Sequence, residues 1–581
     1  MRRLRGHAIA AYKPPTPHGT DPQTMTRLTG LHFALTASTL AFVLAACGCG
    51  GGAATTTATP VTPPTAPVDT GPGTNLAVPD LGAVAPGPKN SALPAGWHNG
   101  AFMEIYVRGY KDSDGDGKGD LQGLISKLDY LQDLGVKGIW LMPVTDSADK
   151  DHGYAVKNYR GIETDYGTSA DFDQLLAQAH ARGIGVIMDY VINHSSSEHP
   201  LFKNAASSAT NPQRPFYVWE ASKPTGWRIY GADPWYSGVN TTGYYFAGFG
   251  SGMPDFNLTN TAAVAFHHDN LRFWLNKGVD GMRFDAVGNL VENGAGAWEV
   301  QPQNHTVMRD VQQLVQSYNQ RYLVCEAPAA SQAFAAPSSC GSAFAFDLKD
   351  HLIRAARGEA ASIQAVSQYF VTAPATMATL LSNHDGFAGD RVWNQLGGDL
   401  ARYKLAAASY LLLPGTPFIY YGEEVGMANG QGLSGDWALR TPMSWTADKT
   451  GFSSGTAFRN LSANVASQNA SGQVGAPDSL HSFYKQMLGL RNSLPSIARG
   501  SYENPLVVGQ VMGYQRRLGS ETSLVLINYG NAAATLPVDR LTPGATLAPR
   551  YGASANVAIN ATGQATVAMP ALSVQVYTVQ P

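Results

Sequence analysis

A regular alternation of apolar strand-like segments with helical stretches restricts the fold of this chain more than any other feature. Eight segments rich in β-branched and aromatic residues begin at Met103, Gly138, Gly185, Gly281, Tyr322, Phe344, Ala378 and Thr416. Helical periodicity lies between them, over residues 121–134, 169–182, 262–277, 306–319, 401–413 and 480–494. Eight such repeats that close on themselves predict an α/β fold, a (β/α)8 TIM barrel with a parallel sheet.

Two intervals are too long to be simple loops. Residues 195–260 lie between the third strand and its helix and are rich in Trp, Tyr, Gly and Pro. Residues 425–478 lie between the eighth strand and its helix. Long βα loops project from the carboxyl-terminal face of a barrel, so we expect residues 195–260 to form a subdomain over its mouth.

The pattern changes after about residue 505, where short alternating segments are separated by Gly, Asn and Pro. This is typical of a small antiparallel β-sandwich. The sequence therefore predicts a barrel domain over residues 93–503 and a carboxyl-terminal β domain over residues 504–581.

The amino-terminal region predicts export. Residues 31–46 are apolar and uncharged and follow Arg27, and they are shorter than the roughly 20 residues of a membrane span. Residues 1–46 are interpreted as a signal peptide region. Because residues 1–24 are polar and unlike such a signal, Met25 is a candidate for the true start.

Small residues followed by Cys47 end the apolar run, in a pattern typical of a bacterial lipobox, in which the cysteine is lipidated. An ordinary cleavage site followed by a chance cysteine is the alternative. Residues 47–92 are rich in Gly, Thr and Pro and predict a flexible linker after the lipidated cysteine. We expect an exported protein, held at the outer membrane, periplasm or cell surface by its amino-terminal lipid anchor alone.

Composition excludes some partners. The formal net charge is −3, only 14% of residues are charged, and there is no Lys/Arg run, so no nucleic acid is expected as a partner. Oligomeric state is not predicted. Four cysteines occur in the chain. Cys325 and Cys340 could pair in an oxidising compartment, and a buried free Cys325 is the open alternative.

Polar residues follow the ends of several strands, where functional groups of a barrel meet. They are Asp189, Asn193 and His194 after the third strand, Arg283 and Asp285 at the fourth, Glu326 at the fifth, and His384 and Asp385 at the seventh. Each one alone would be read as a solvated loop charge or a helix cap. Together they predict an active site at the mouth of the barrel.

The chemistry that this set suits is retaining cleavage of a glycosidic bond, which needs two carboxyl groups about 5–5.5 Å apart. Neighbouring strands are about 4.8 Å apart, so Asp285 as nucleophile and Glu326 as general acid/base can meet. Arg283 lies on the same strand face as Asp285 and would keep it ionised. Glu326 needs a raised pKa in order to hold its proton. Asp385 would stabilise the oxocarbenium-like transition state.

Six ordered motifs then carry a resemblance to the α-amylase family of glycoside hydrolases, from about residue 100 to the carboxyl terminus. They are GVKGIWLMPV from residue 135, DYVINH at 189–194, GMRFDAV at 281–287, VCEA around Glu326, SNHD at 382–385 and GTPFIYYGEE from residue 415. The resemblance implies the same three catalytic roles for Asp285, Glu326 and Asp385. It also implies a substrate-binding set of Tyr154, His152, His194, Arg283, His384 and Asp189.

Within that set, the resemblance implies that Tyr154 is the aromatic platform under the reacting sugar, with a packed loop tyrosine as the alternative. His194 and His384 are expected to donate hydrogen bonds to sugar hydroxyls. Gly288 and Asn289 depart from the family, because many members carry Lys-His at these positions on the leaving side.

The expected activity is hydrolysis of α-1,4-glucosidic bonds in starch and maltooligosaccharides through a covalent glycosyl-enzyme intermediate. The segments MPDFN at 253–257 and RTPMSW at 440–445 resemble those of oligosaccharide-acting members. The alternatives are an α-glucosidase or oligo-1,6-glucosidase, and a transglycosylase or isomerase of small α-glucans. A non-catalytic glucan-binding lipoprotein is disfavoured, because such relatives would be expected to lose catalytic carboxylates. The expected partner is an α-glucan oligosaccharide or polysaccharide.

An acidic loop predicts structural Ca²⁺. Residues 112–120 read DSDGDGKGD, with acidic residues at alternate positions and glycines that allow tight turns. The expected ligands are the carboxylates of Asp112, Asp114, Asp116 and Asp120 and the carbonyl of Lys118. A solvated acidic turn is the alternative. The family resemblance adds Asn193 as a candidate ligand of a second calcium.

Overall fold

The barrel is present in the computed structural model, which describes residues 75–237 and 243–581. The predicted signal peptide region, the candidate start Met25 and the lipidated Cys47 lie outside these residues. The parallel strands are Phe102–Ile105, Gly138–Leu141, Gly185–Tyr190, Gly281–Phe284, Tyr322–Cys325, Ala378–Thr379 and Thr416–Tyr420. We number these strands by their place among the eight that the sequence predicted. Neighbouring strands in the sheet then follow the order fifth, fourth, third, second, first, eighth and seventh.

The sixth strand, predicted to start at Phe344, is much shorter than predicted. Only Ala343 and Phe344 are extended, and they form parallel bridges to Cys325 and Ala378 that close the sheet between the fifth and seventh strands. A helix begins at Phe346. Apolar residues of this segment therefore serve the inner face of a helix, which a short alternating pattern does not distinguish from a strand.

Helices surround the barrel. Those after the first five strands are Leu121–Ile125, Leu128–Leu134, Ser169–Ala181, Thr261–Lys277, Pro302–Gln316 and Ser331–Phe334. Those after the last three are Phe346–Ala356, Ala360–Thr372, Val392–Gln395, Leu400–Leu411, Asp436–Leu439, Ala470–Gln473, Leu480–Ser493 and Pro495–Arg499. The single helix expected over residues 121–134 is two helices, and Phe346–Ala356 and Ala360–Thr372 were not expected. In the part of the chain that the structure describes, no helix combines the length and apolarity needed to cross a bilayer.

The inserted subdomain carries the helix Pro200–Ser207 and a three-stranded antiparallel sheet of Trp219–Glu220, Tyr244–Phe246 and Trp235–Ser237. A second small hairpin, Thr145–Ser147 with Val156–Ile162, follows the second barrel strand. A one-turn helix, Val107–Tyr110, follows the first barrel strand. These insertions stand at the strand ends where the predicted site lies.

The linker predicted over residues 47–92 is wrong over residues 75–92, which are hydrogen-bonded to the barrel and its insertion. Asp80 is fully buried and pairs with His199 at 3.0 Å, while the Tyr159 backbone N–H donates to it at 2.7 Å. Further along, the backbone of Val84 donates to Asp269. Buried polar groups of the globular part need these partners, so this segment packs although its composition is that of a linker.

The carboxyl-terminal domain begins at Ser501, close to the predicted boundary. One antiparallel sheet contains Ser501–Val508, Val511–Leu518, Glu521–Asn528, Ser573–Gln580, Thr546–Tyr551 and Val557–Ala558, in that spatial order. The second sheet pairs Ala534–Val538 with Ala565–Met569. Leu524, Leu526, Leu536 and Val567 pack between the two sheets, as a β-sandwich requires.

Candidate active site

Strand register brings the two main carboxylates together. The fifth strand pairs with the fourth so that Cys325 lies opposite Phe284. Asp285 and Glu326 are the next residue of each strand, and their side chains therefore emerge side by side at the mouth. Cys325 forms a disulfide with Cys340, so the paired alternative is the one that the structure contains.

Arg283 holds the carboxylates in position. Its Nη1 donates to Asp285 Oδ1 at 2.8 Å and to both Asp189 oxygens at 2.9 and 3.0 Å. Its Nη2 donates to Glu326 Oε2. The guanidinium is fully buried, so it interacts with three carboxylates in a medium of low dielectric, where such contacts are strong.

Burial acts on both of the main carboxyl groups. Burial raises the pKa of Glu326 to about 8, the Arg283 charge opposes the rise, and the negative charges of Asp285 and Asp385 add to it. Burial also raises the pKa of Asp285, and there too Arg283 opposes the rise, while the hydrogen bond with Glu326 favours ionised Asp285. Arg283 and the Glu326 hydrogen bond thus favour the ionised form of Asp285, while the neighbouring negative charges favour the protonated form of Glu326. Retaining glycoside cleavage requires one ionised and one protonated carboxyl group.

Asp385 is kept ionised by two cations. Its Oδ1 accepts from Arg440 Nη2 at 2.9 Å, and its Oδ2 lies 3.0 Å from His384 Nε2. Burial alone would raise the pKa of Asp385, yet His384 and Arg440 hold it far below its usual value. A permanent negative charge at this place is what stabilises a developing oxocarbenium ion.

His384 lies beneath the site. Burial would lower its pKa, but Asp385 and Glu104 raise that pKa to about 10, so the ring is an imidazolium. Nδ1 is 2.5 Å from Glu104 Oε1, and Nε2 is 2.7 Å from the Tyr154 hydroxyl. The Tyr154 hydroxyl then donates to Asp189 Oδ2 at 2.9 Å. His384 therefore orients Tyr154 and Asp385 from below.

A cavity of about 700 Å³ opens above these residues. Of the predicted site residues, Asp285, Glu326, Asp385, Tyr154, His152 and His194 line it. Arg283, His384 and Asp189 lie behind its wall, with their polar atoms bonded to other site residues. These three position the groups that line the cavity, and the direct sugar contact expected of them stays a prediction.

His194 keeps a free hydrogen-bonding atom at the cavity. Its Nε2 is buried and has no partner in the protein. Burial lowers the pKa of His194 to about 3, so the imidazole is neutral and can present one nitrogen as a donor. A sugar hydroxyl is a suitable partner for this atom.

Three groups at the site were not predicted. Arg440 and Asp436 line the cavity and pair with each other at 3.2 Å, and Glu104 binds His384 from the first strand. A charged residue inside the apolar first strand was a signal for Glu104. Arg440 lay in the RTPMSW segment, but sequence order does not show that this loop folds back on Asp385.

The acidic loop gathers three of its four aspartates. Ligand oxygens of Asp112, Asp114 and Asp116 lie within 4.8 Å of one another. The Asp120 carboxylate instead accepts from the Gly123 backbone at the start of a helix and from Ser113. Gly115 and Gly117 both have a φ of 91°, which allows the tight turns between the aspartates. The loop's oxygen donors fit a hard cation such as Ca²⁺.

Asn193 bonds to another carboxylate near the mouth. Its Nδ2 donates to Asp255 Oδ2 at 2.9 Å, whereas its Oδ1 is buried without a partner. Among the described residues, the grouping of three acidic, His or Cys side chains suited to a metal is the one in the loop at residues 112–116. A second calcium at Asn193 stays a prediction.

A glycoside-cleaving barrel enzyme is the class that this fold and site define. The sequence model for the alpha amylase catalytic domain matches residues 104–500, and the chain belongs to this alpha-amylase family of glycoside hydrolases. It is 33% identical over 448 residues to alpha-amylase 3 of Dictyoglomus thermophilum, covering 74% of this chain and 85% of the relative. It is 30% identical over 485 residues to an oligo-1,6-glucosidase of Heyndrickxia coagulans, covering 70% of this chain and 87% of the relative.

Among solved structures, an isomaltulose synthase from Erwinia rhapontici in complex with sucrose is similar. The TM-score is 0.72 at 26% identity, and the match covers 84% of this chain and 100% of that one. The predicted family, barrel and enzyme class are thereby confirmed. The relatives include enzymes of small glucosides and favour the alternative activities over the expected hydrolysis of starch.

Proposed function

We propose that this protein is a retaining α-glucosidase that removes single glucose units from small α-glucosides with α-1,4 or α-1,6 linkages. The observation that carries the proposal is the ion pair between Arg440 and Asp385 at one wall of the cavity. Arg440 Nη2 also contacts Asp436 at 3.2 Å, and Arg440 Nη1 lies 3.8 Å from Asp151. A wall of paired charges beside the transition-state carboxylate suits the end of a sugar chain better than the middle of one.

The residues would act in two steps. Asp285 attacks the anomeric carbon while Glu326 gives its proton to the glycosidic oxygen, so the C–O bond breaks and the leaving alcohol departs. Glu326, now ionised, takes a proton from water as that water attacks the same carbon, and Asp285 is released. Asp385 stabilises the positive charge that develops in both transition states, and Tyr154 offers its ring to the sugar.

A related activity is transfer to a sugar hydroxyl instead of water. It is supported by the similarity to an isomaltulose synthase, an enzyme named for an isomerised sugar product. The same glycosyl-enzyme intermediate serves both reactions, so the acceptor decides the product.

We also propose Ca²⁺ at the acidic loop, held by Asp112, Asp114 and Asp116, with the Lys118 carbonyl as a further ligand. Bound there, the ion would neutralise the clustered carboxylates and hold the loop. Asp112 already accepts from the Gly115 and Gly117 backbone, and Ser453 donates to it from the insertion after the eighth strand. A cation would therefore stabilise two loops together.

Product analysis tests the proposed activity. Purified protein is incubated with maltose, isomaltose, maltoheptaose, soluble starch and sucrose, and the products are separated by chromatography. We expect glucose from the two disaccharides at a higher kcat/KM than from starch, and no glucose from the Asp285→Asn variant. Release of maltose and longer fragments from starch, with disaccharides untouched, would contradict the proposal.

A further inference from the structure

A strained tyrosine stands at the tip of a turn in the inserted subdomain. Ile229 and Ala232 exchange both backbone hydrogen bonds at 2.8 Å, which leaves Tyr230 and Gly231 as a two-residue turn. Their φ angles are 45° and 88°. Turns with two positive φ values favour Asn-Gly or Gly-Gly, and a bulky aromatic residue is unfavourable at the first position.

The turn is anchored from below. Ile229 is buried in a small apolar cluster with Trp235 and Phe246, and Trp227 packs against the same cluster. The tip is therefore held in place although Tyr230 itself is strained. Backbone strain that the surrounding structure maintains is concentrated at functional sites, so we expect Tyr230 to have a function.

The ring of Tyr230 faces the active-site cavity. It lines the cavity and is 63% exposed, the largest value among the large apolar and aromatic side chains exposed in the described part of the chain. Two aromatic rings are its neighbours. The ring centroid of Trp298 lies 5.3 Å away, edge-on, and that of Phe249 lies 5.8 Å away. Phe249 in turn lies 5.3 Å from His194. An open aromatic face beside these rings is a surface on which a sugar can stack.

The hydroxyl of Tyr230 joins the insertion to the nucleophile's loop. It donates to Asn289 Oδ1 at 3.3 Å, and Asn289 stands four residues after Asp285 in the turn Val287–Asn289. A tyrosine hydroxyl is protonated at neutral pH, so it is the donor in this contact. The contact thus spans the cavity close to the acid/base and the nucleophile.

From this arrangement we propose that Tyr230, held by Asn289, is the stacking surface for the leaving sugar and selects substrates whose leaving group is one sugar ring. The proposal rests on the proposed function and deepens it by naming the substrate class. The Tyr230–Asn289 contact bounds the leaving side, so a longer chain has to displace it. On this proposal the strained conformation is retained because Tyr230 supplies both the ring for stacking and the hydroxyl that binds Asn289.

Three variants separate this role from a structural one. Tyr230→Asn removes the ring and supplies a residue that suits the turn. Tyr230→Phe keeps the ring and removes only the hydroxyl. Tyr236→Ala is the matched control, because Tyr236 lies in the same subdomain and outside the cavity. For each, kcat and KM are measured on maltose and maltoheptaose, and the Tm is measured by circular dichroism.

For Tyr230→Asn we expect an unchanged or higher Tm, because asparagine suits the turn. The KM for maltose should rise about 3- to 10-fold, as loss of an aromatic contact implies. The ratio of kcat/KM for maltoheptaose to kcat/KM for maltose should also rise. We expect Tyr230→Phe to keep a KM for maltose within about twofold of the wild type, since the ring is retained. Tyr236→Ala should keep the wild-type KM for maltose and the wild-type maltoheptaose-to-maltose ratio of kcat/KM.

Two results would overturn the proposal, and they differ in meaning. If the wild type cleaves maltose and Tyr230→Asn keeps its KM and its ratio, the tyrosine is structural and this inference fails. A lowered Tm with unchanged kinetics leads to the same conclusion. If the wild type releases no glucose from either substrate, the proposed function itself fails and this inference falls with it.

Discussion

At the scale of single residues, Glu326 controls the dependence of the reaction on pH. Burial raises its pKa to about 8, with the charges of Asp285 and Asp385 adding to the rise. We expect protonated Glu326 and ionised Asp285 to be the active forms, so kcat/KM should fall about tenfold per pH unit above a pKa of about 8. It should also fall at low pH, where Asp285 becomes protonated. The measurement is kcat/KM on maltose from pH 5 to pH 10, since this parameter reports groups of the free enzyme.

Replacement of Glu326 tests whether its titration causes the fall of kcat/KM at alkaline pH. Glu326→Gln removes the proton donor, so activity on maltose should fall about 10²- to 10⁴-fold and the remaining activity should lose its alkaline decline. Glu359→Gln, an exposed change outside the cavity, is the matched control. An alkaline decline that persists in Glu326→Gln would assign the limb to another group.

At the scale of an element, the loop at residues 112–120 tests the calcium proposal through stability. Excess Ca²⁺ at about 100 times its Kd should add about 2.7 kcal/mol to the free energy of unfolding. For a unit of about 500 residues, the Tm in calcium should then exceed the Tm in EDTA by about 2–3 °C. Calorimetry in the two buffers measures this difference.

The matched variants separate the loop from other carboxylates. The double variant Asp114→Asn with Asp116→Asn removes two exposed ligands and should abolish the calcium-dependent rise in Tm. Asp448→Asn changes a carboxylate that binds its own turn at Thr450, and it should keep the rise. Equal Tm values for the wild type in calcium and in EDTA would speak against the site.

At the scale of the whole molecule, residues 75–92 join the insertion to the barrel. A chain that starts at residue 93 loses Asp80 and leaves the buried Nε2 of His199 without its partner, which should cost about 1–3 kcal/mol of the free energy of unfolding. A chain that starts at residue 75 is the reference, because it keeps Asp80. Urea denaturation followed by fluorescence compares them, and equal midpoints for the two truncated chains would show that the segment does not stabilise the fold.

Prediction from the sequence succeeded where a pattern is local. Strand identity, the end positions of Asp285 and Glu326, and the division into barrel and β domain follow from periodicity and from the geometry of parallel strands. It failed at Phe344, because a short apolar alternation serves a strand and a helix face equally. It also failed over residues 75–92, whose linker-like composition does not reveal the partners that Asp80 finds in folded surroundings.

The sequence by itself determined the barrel and the family, and it predicted which carboxylates stand at the mouth, because each depends on residue type and on spacing along one strand. Only the tertiary structure showed that His384 bonds to Glu104, that Arg283 bonds to Asp189, and that Arg440 pairs with Asp385. It alone brought Tyr230 across to Asn289. These contacts join loops from separate repeats, and their geometry is set by the packing of the insertions on the barrel, which no local pattern encodes.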